Sequence, residues 1–181
     1  PYINQIRNEL EVVNFKRIHT SDSINVLYIC EPVSEHGLYS FGNERQWGYT
    51  EEDALRHFLV NIKALGLPIN RVLIRPHPSE TEGKYNWVKQ EFNLSISIGG
   101  ACTLIEEIAE SEVVVGCQSM AMVVGLIAGK RVISCIPPKG KPCSLPHDKI
   151  ENFNNILNEI KQINIQDYIN KFTVGGLIIL R

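Results

Sequence analysis

The stretch Val113-Val114-Val115-Gly116-Cys117-Gln118-Ser119-Met120 joins an apolar strand to a helix, and it decides the fold. Three consecutive valines are typical of a strand that is buried on both faces, and Gly116 ends it. Ser119 is the expected N-cap of a nearly all-apolar helix, and Gly129 is the expected residue just past its end. A second apolar strand, Arg131–Ile136, follows directly. A strand, a helix and a strand in so short a span predict a parallel pair of strands.

The same alternation extends along most of the chain. Thr50 is followed by three acids, and Thr103 is followed by Glu106 at capping-box spacing, so each threonine predicts the start of a helix. The predicted strands are Asn25–Cys30, Arg71–Arg75, Leu94–Ile98, Val113–Val115 and Arg131–Ile136. A last amphipathic helix is predicted over Ile150–Ile160. Strands and helices that alternate in this way indicate a sheet covered by helices.

These patterns predict an α/β fold, a Rossmann-like three-layer αβα sandwich with a five- to six-stranded, mainly parallel sheet. We expect residues 1–24 to form an N-terminal extension, residues 25–162 the domain itself, and residues 163–181 a C-terminal tail. The apolar end of that tail, Val174–Leu180, is expected to be an edge strand or to pack against another part of a longer protein.

The composition excludes several classes of protein. The 18 Lys and Arg residues nearly balance the 20 Asp and Glu residues, so a broad basic surface for nucleic acid is not expected. No apolar run reaches the roughly 18–20 residues of a membrane span. The 5 cysteines form no CxxC pair, which predicts reduced thiols in a cytoplasmic protein and no zinc site. No metal or other cofactor is expected.

The position of the polar residues predicts where a ligand binds. A doubly wound sheet binds ligands beyond the carboxyl ends of its strands, at the point where the strand order reverses. If the five predicted strands are arranged in the order 3-2-1-4-5, that point lies between the first and the fourth strand. Unusual polar residues follow four predicted strands, whereas the loop after the third strand, farthest from the reversal, is chemically plain. These four loops are Glu31–Gly37, Arg75–Glu80, Gly116–Met120 and Pro137–Pro142.

His77 is the strongest candidate in these loops. Pro76 and Pro78 flank it and restrict the backbone on both sides. A rigidly mounted imidazole beside the fixed charge of Arg75 suits an anionic oxygen such as that of a phosphate. A structural turn with a capping histidine explains the same residues equally well.

The junction Gly116–Ser119 is the second candidate, because the start of a helix presents free N–H groups and the positive end of its dipole. Gly116 would let a ligand approach the backbone, and Ser119 would either cap the helix or donate its hydroxyl to a phosphate. The segment Pro32-Val33-Ser34 is expected to offer Ser34 and local N–H groups to the same ligand. Lys139 and Lys141 are expected either to screen its charge or to lie in solvent.

Several common signatures are absent from the sequence. It contains no GxGxxG, no P-loop with Ser or Thr after the lysine, and no GxSxG. Trp47, Trp87 and the 6 tyrosines are dispersed, which predicts core positions rather than a stacking platform for bases.

Three segments together resemble the nucleotide-sugar-binding half of a GT-B glycosyltransferase. They are Arg75-Pro76-His77-Pro78 after a strand, Val113–Ala121, and Ala128–Ile133 followed by Pro137-Pro138. They are most similar to bacterial sialyl-, polysialyl- and Kdo-type transferases of surface polysaccharide synthesis. The resemblance covers residues 25–147.

The resemblance implies a donor-binding domain of a glycosyltransferase that uses a nucleotide-activated sugar, specifically a CMP-sugar. It implies that His77 is catalytic, contacting the donor phosphate and helping to neutralise the leaving nucleotide without a metal. The other implied substrate-binding residues are Pro32, Val33, Ser34, Arg75, Pro78, Gly116, Cys117, Gln118, Ser119 and Met120.

The implied partners are a nucleotide-sugar donor and a glycan acceptor, with the protein in the cytoplasm at the inner face of the membrane. The apolar tail and an exposed face of the domain favour self-association as a homodimer. The resembling enzymes carry the acceptor site and the general base on a separate N-terminal domain. No motif here matches that domain, so complete transfer is expected to need a longer chain. Two alternatives stay open: an enzyme similar to UDP-sugar 2-epimerases, and a non-catalytic nucleotide-binding or interaction module.

Overall fold

The computed structural model describes residues 4–6, 8–9 and 22–173, with side chains described as far as residue 166. The strands are β1 (Ile24–Ile29), β2 (Ile69–Arg75), β3 (Ile96–Ile98), β4 (Val113–Gly116), β5 (Arg131–Ser134) and β6 (Ile150–Asn152). The helices are α1 (Val33–Phe41), α2 (Glu51–Val60), α3 (Val88–Glu91), α4 (Leu104–Ala109), α5 (Met120–Ile127) and α6 (Phe153–Thr173), with a 3-10 turn over Ile62–Leu65.

The six strands form one sheet in the order β3-β2-β1-β4-β5-β6, and every neighbouring pair is parallel. The predicted α/β fold is therefore confirmed, and the order 3-2-1-4-5 on which the ligand-site prediction was conditional is present, with β6 beyond β5. From β1 the chain moves outward to β2 and β3, and it then returns across the sheet to β4. The order reverses between β1 and β4, and this point positions the site described below.

Both faces of the sheet are covered, because successive strand residues point to opposite sides. Val26 and Tyr28 pack with α1, α2, α3 and the start of α6 on one face. Leu27 and Ile29 pack with α4 and α5 on the other face. Helices on opposite faces are what right-handed crossovers produce when the chain moves in opposite directions along a sheet.

The three N-caps expected from the sequence are present. Thr50 and Thr103 each accept a hydrogen bond from the backbone N–H three residues on, with Asp53 and Glu106 completing the capping boxes. Ser119 accepts from the N–H of Ala121 at the start of α5. Local capping chemistry therefore determines where α2, α4 and α5 begin.

Two expectations were wrong in detail. The last helix begins at Phe153 rather than at Ile150, because Ile150–Asn152 pairs with β5 as a sixth strand. The segment Glu31–Gly37 is not all loop, because α1 begins at Val33. Its first turn is held by a contact with no local signal: the Glu51 carboxylate accepts from the backbone N–H and the hydroxyl of Ser34, at 2.8 and 2.7 Å.

The domain limits proposed at residues 24 and 162 stay predictions, and α6 runs across the second of them. The apolar segment Val174–Leu180 lies outside the described residues. In the part of the chain that the structure describes, no helix has the length and apolar character needed to cross a bilayer.

Phe153 anchors the start of α6 in the core. It is fully buried, and its ring centroid lies 5.4 Å from that of Phe58 and 5.7 Å from that of His57. We expect Phe153→Ala to lower the free energy of unfolding by about 3–5 kcal/mol, because it opens a cavity that this ring now fills. Urea denaturation measures the loss.

The matched control is Tyr39→Ala, which truncates an aromatic ring that is 94% exposed. That change is expected to cost less than about 0.5 kcal/mol. A loss below about 1 kcal/mol for Phe153→Ala would contradict the role of this ring as an anchor.

Candidate functional site

A pocket of about 300 Å³ lies at the carboxyl ends of the central strands, where the strand order reverses. We call it the switch-point pocket. Its lining comes from the loops after β1, β2 and β4, from the starts of α1 and α5, and from the segment before α2. The lining residues are Glu31, Pro32, Val33, His36, Trp47, Tyr49, His77, Gln118, Ser119 and Met120. The structure therefore places a pocket where the strand order predicted one.

The carboxylate of Glu31 connects two of these loops. Its Oε1 atom accepts hydrogen bonds from the backbone N–H groups of Cys117 at 3.1 Å and Gln118 at 2.8 Å. These are the N–H groups that the sequence assigned to a bound anion. A side chain of the protein itself therefore holds that position, and it fixes the turn that leads into α5.

Burial raises the pKa of Glu31, although the N–H donors of the β4–α5 turn and the nearby His77 both oppose the shift. The ionised carboxylate is thus less stable here than in water, even with its hydrogen bonds. Its negative charge also lies against the pocket in which an anion would bind.

His77 lies on the loop after β2, at the rim of the pocket. Its Nδ1 atom accepts a hydrogen bond from the backbone N–H of Ser79 at 3.2 Å and lies 2.8 Å from the Ser79 hydroxyl. An acceptor at Nδ1 places the proton of the neutral ring on Nε2. The turn that follows His77 thus selects the tautomer in which Nε2 is a hydrogen-bond donor.

The first turn of α5 supplies the opposite wall. The Ser119 oxygen accepts the N–H of Ala121 at 3.2 Å, which leaves the hydroxyl proton able to donate. Gln118 accepts from the Ser144 hydroxyl at 3.1 Å, so its amide is connected to the loop after β5. The side chain of Met120 is largely exposed beside the pocket.

The structure brings together in this pocket the predicted site residues Pro32, Val33, His77, Gln118, Ser119 and Met120. Ser34, Arg75, Pro78, Gly116 and Cys117 do not line it.

Ser34 and Arg75 are engaged elsewhere. Ser34 donates to Glu51, as described above. Arg75 donates to the nearly buried carboxylate of Glu107 at 2.6 Å and to the Cys102 carbonyl at 3.1 Å. Glu107 also accepts the N–H of Gly100 at 2.7 Å. The arginine therefore connects the end of β2 to α4 rather than adding charge to the pocket.

Gly116 and Cys117 contribute through the backbone instead of the pocket surface. A Cβ on Gly116 would press against the Met122 side chain and the Ile29 carbonyl, so its missing side chain allows close packing under α5. The Cys117 side chain is buried, and its carbonyl accepts from the Ser134 hydroxyl at 2.6 Å.

Sequence reasoning missed four lining residues: Glu31, His36, Trp47 and Tyr49. Glu31 and His36 lie in the segment Glu31–Gly37, which was singled out, but nothing local distinguishes them from their neighbours. Trp47 and Tyr49 precede α2 and reach the pocket only through folding. Burial raises the pKa of Tyr49 well above its ordinary value, so its phenol stays neutral.

Three carboxylates lie close enough together to hold a metal ion, and they form the only such group among the described residues. They belong to Glu35 of α1, Glu51 at the start of α2 and Glu80 after β2. The Lys84 ammonium contacts all three carboxylates. Burial opposes ionisation of Glu51, but Lys84 and Ser34 hold its pKa below the usual range. The ammonium already provides the positive charge that a cation would bring.

No protein-family model matches the sequence, and no curated protein matches it. Among solved structures the chain is similar to two from Thermosulfurimonas dismutans, KpsC beta Kdo 2,4 transferase and KpsC beta Kdo 2,7 transferase. The first has 14% identity and a TM-score of 0.47 over 83% of this chain and 48% of that one. The second has 15% identity and a TM-score of 0.46 over 83% of this chain and 45% of that one. Both are Kdo transferases, the class that the sequence resembles, and this chain spans about half the length of each.

Glutamine at position 31 is expected to retain the acceptor for the two N–H groups without the cost of burying a charge. We therefore expect Glu31→Gln to have at least the wild-type free energy of unfolding at pH 7. A carboxyl with a raised folded pKa destabilises the fold when ionised, so the advantage of Glu31→Gln should shrink as the pH falls through that raised value.

Glu31→Ala is the companion variant, because it removes the acceptor as well as the charge. It should be less stable than Glu31→Gln by about 1–3 kcal/mol, since two backbone N–H groups lose their partner. Urea denaturation of both variants between pH 4.5 and 8 measures these differences. Equal stability of the two variants would show that the hydrogen bonds from Cys117 and Gln118 to the side chain at position 31 contribute nothing to the free energy of unfolding.

Proposed function

We propose that this chain is the donor-binding domain of a glycosyltransferase that uses a nucleotide-activated sugar, with CMP as the nucleotide, in bacterial surface polysaccharide synthesis. The observation that carries the proposal is the meeting of His77 with the start of α5 in one pocket at the switch point. The motifs around both residues are those that resemble CMP-sugar transferases.

The chemistry of the pocket suits the phosphate of a CMP-sugar, a diester that becomes the monoester CMP when its bond to the sugar breaks. The Nε2–H of His77 and the hydroxyl of Ser119 are donors on opposite walls. As the bond from the sugar to the phosphate breaks, negative charge grows on the leaving nucleotide. Donors held at that position stabilise the charge more in the transition state than in the bound donor, which is how they accelerate the reaction.

Glu31 changes which donors are available to the phosphate. The N–H groups of Cys117 and Gln118 already donate to its carboxylate, so the phosphate is bound by donors farther out, from His77 and Ser119. The Glu31 charge then lies behind the phosphate and repels it. We interpret Glu31 as a residue that builds the turn at a cost in donor affinity, which also favours release of the nucleotide.

Sugar transfer also needs an acceptor site and a general base. We assign both to a second domain, as in the transferases that the sequence resembles, with a glycan as acceptor. We place the protein in the cytoplasm, and the five free cysteines accord with a reducing compartment. Association with the inner face of the membrane and a homodimer are further parts of the proposal.

Nucleotide binding tests the proposal directly by differential scanning fluorimetry with CMP, CDP, UDP and GDP. A ligand at about 100 times its Kd stabilises the native state by roughly 2.7 kcal/mol. For a chain of this size that corresponds to a Tm rise of roughly 5–10 °C. We expect CMP to give the largest rise and His77→Ala to abolish it.

His147→Ala is the control, because His147 is an exposed histidine beside a different cavity. It should leave the CMP response intact. A Tm unchanged by all four nucleotides would overturn the proposal, and a preference for UDP would favour the epimerase-like alternative.

Removing the Glu31 charge tests the repulsion. We expect Glu31→Gln to bind CMP more tightly than the wild type by about fivefold to tenfold at pH 7, which is roughly 1 kcal/mol of relieved repulsion. Isothermal titration calorimetry gives both Kd values. Weaker binding by Glu31→Gln would mean that the carboxylate itself contacts the nucleotide.

A further inference from the structure

A second cavity, of about 450 Å³, lies at the carboxyl ends of β5 and β6. It is enclosed by the loop after β5, the end of α2 and the first turns of α6. Five asparagines line it, and we call it the amide cavity. These are Asn61, Asn152, Asn154, Asn155 and Asn158.

The polar lining of the amide cavity is neutral or basic. His57, Lys141 and Lys161 accompany the asparagines, and none of the lining residues is Asp or Glu. The cavity therefore presents amide donors and acceptors together with two ammonium groups and no opposing carboxylate.

Three of the asparagines hold the walls in place. Asn154 donates to the Ile136 carbonyl at 2.8 Å, and its Oδ1 atom lies 3.1 Å from Nε2 of His57. Asn61 donates to the His57 carbonyl at 2.8 Å. Asn152 accepts the N–H of Asn154 at 2.9 Å as it caps α6. These contacts make the cavity a preorganised surface, which lowers the entropic cost of binding.

Four other side chains are available to a ligand. Within the described part of the chain, no hydrogen bond or ion pair engages the side chains of Asn155, Asn158, Lys141 or Lys161. An amide both donates and accepts, as a sugar hydroxyl does, and an ammonium group attracts a carboxylate. The start of α6 is less suited to a phosphate, because the Asn152 side chain already accepts the N–H groups of Asn154 and Asn155.

A third cavity, of about 250 Å³, lies between the amide cavity and the switch-point pocket. It shares Trp47, Tyr49 and Gln118 with the switch-point pocket and Lys141 and Pro142 with the amide cavity. The three cavities thus follow one another along the carboxyl edge of the sheet. A chain of sugar units that starts near His77 has a continuous course toward α6.

We propose that the amide cavity binds a carboxylated sugar unit, through the amides of Asn155 and Asn158 and the ammonium groups of Lys141 and Lys161. The unit is either a single sugar acid or one residue of an acidic glycan. A role of this binding in sugar transfer rests on the proposed function, but the binding itself does not.

NMR titration of the 15N-labelled 181-residue chain tests the proposal, with D-glucuronate, D-glucose and trigalacturonate as probes. We expect glucuronate to shift the side-chain NH2 resonances of Asn155 and Asn158, and glucose to bind at least fivefold more weakly. Binding of trigalacturonate more than tenfold tighter than glucuronate identifies an acidic glycan as the occupant, and equal binding identifies a single sugar acid. Equal binding of glucose and glucuronate, or no shift at these amides with any probe, overturns the proposal.

Three variants complete the experiment. Lys161→Gln and Asn158→Asp should each weaken glucuronate binding at least fivefold, and both positions are exposed, so folding is expected to be retained. The matched control Lys149→Gln, beside another cavity, should bind as the wild type does. Unchanged binding by Lys161→Gln and Asn158→Asp overturns the assignment to this cavity.

His77→Ala separates the two proposals. It should lose the CMP response and retain glucuronate binding. Loss of glucuronate binding in this variant would place the sugar acid in the switch-point pocket and overturn the amide cavity. If the variant retains both the CMP response and glucuronate binding, His77 is not part of the donor site, and the proposal for the amide cavity is supported.

Discussion

The parallel pairing of β1 with β2 on one side and with β4 on the other determines where every other part of this molecule lies. Because the chain leaves β1 in one direction and returns to β4 in the other, helices cover opposite faces of the sheet. The loops after β1, β2 and β4 are then left facing one another at one edge. Glu31, His77 and Ser119 come from these three loops, although they are far apart in the sequence.

The hydrogen bonds between Glu31 and the turn before α5 affect the chemistry of the pocket as well as the folding of the chain. The half-buried carboxylate of Glu31 accepts the N–H groups of Cys117 and Gln118, and its partial burial raises its pKa. The same groups would otherwise be the natural cradle for a phosphate. In the proposed function, His77 and Ser119 donate to the phosphate while the charge of Glu31 repels it. In that proposal the repulsion lowers the affinity for the bound donor and aids departure of the nucleotide.

The loop after β5 lines the amide cavity and the third cavity, which lies between it and the switch-point pocket. Gly48 has a φ of +86°, and a Cβ at this position would collide with the Lys139 carbonyl, so only glycine allows the segment before α2 to approach this loop so closely. A Cβ on Gly140 would collide with the ring of Tyr49 and the side chain of Ile136, so glycine is needed there as well. These close approaches place Lys141 on the border between two cavities. The two proposed binding sites thus lie along one edge of the sheet.

The sequence by itself determined the α/β class and the helix starts at Thr50, Thr103 and Ser119, because apolar periodicity and capping are local. It also singled out His77 and the β4–α5 turn as candidates, since position after a strand and flanking prolines are visible in the chain. The strand order follows from which strands pair in the folded sheet. Only the tertiary structure decided which polar groups meet. It turned Arg75 toward Glu107 and Ser34 toward Glu51, and it placed Glu31 under the N–H groups expected to bind an anion. Each of these contacts joins residues that are distant in the sequence, and the burial that makes them strong exists only once the sheet has formed.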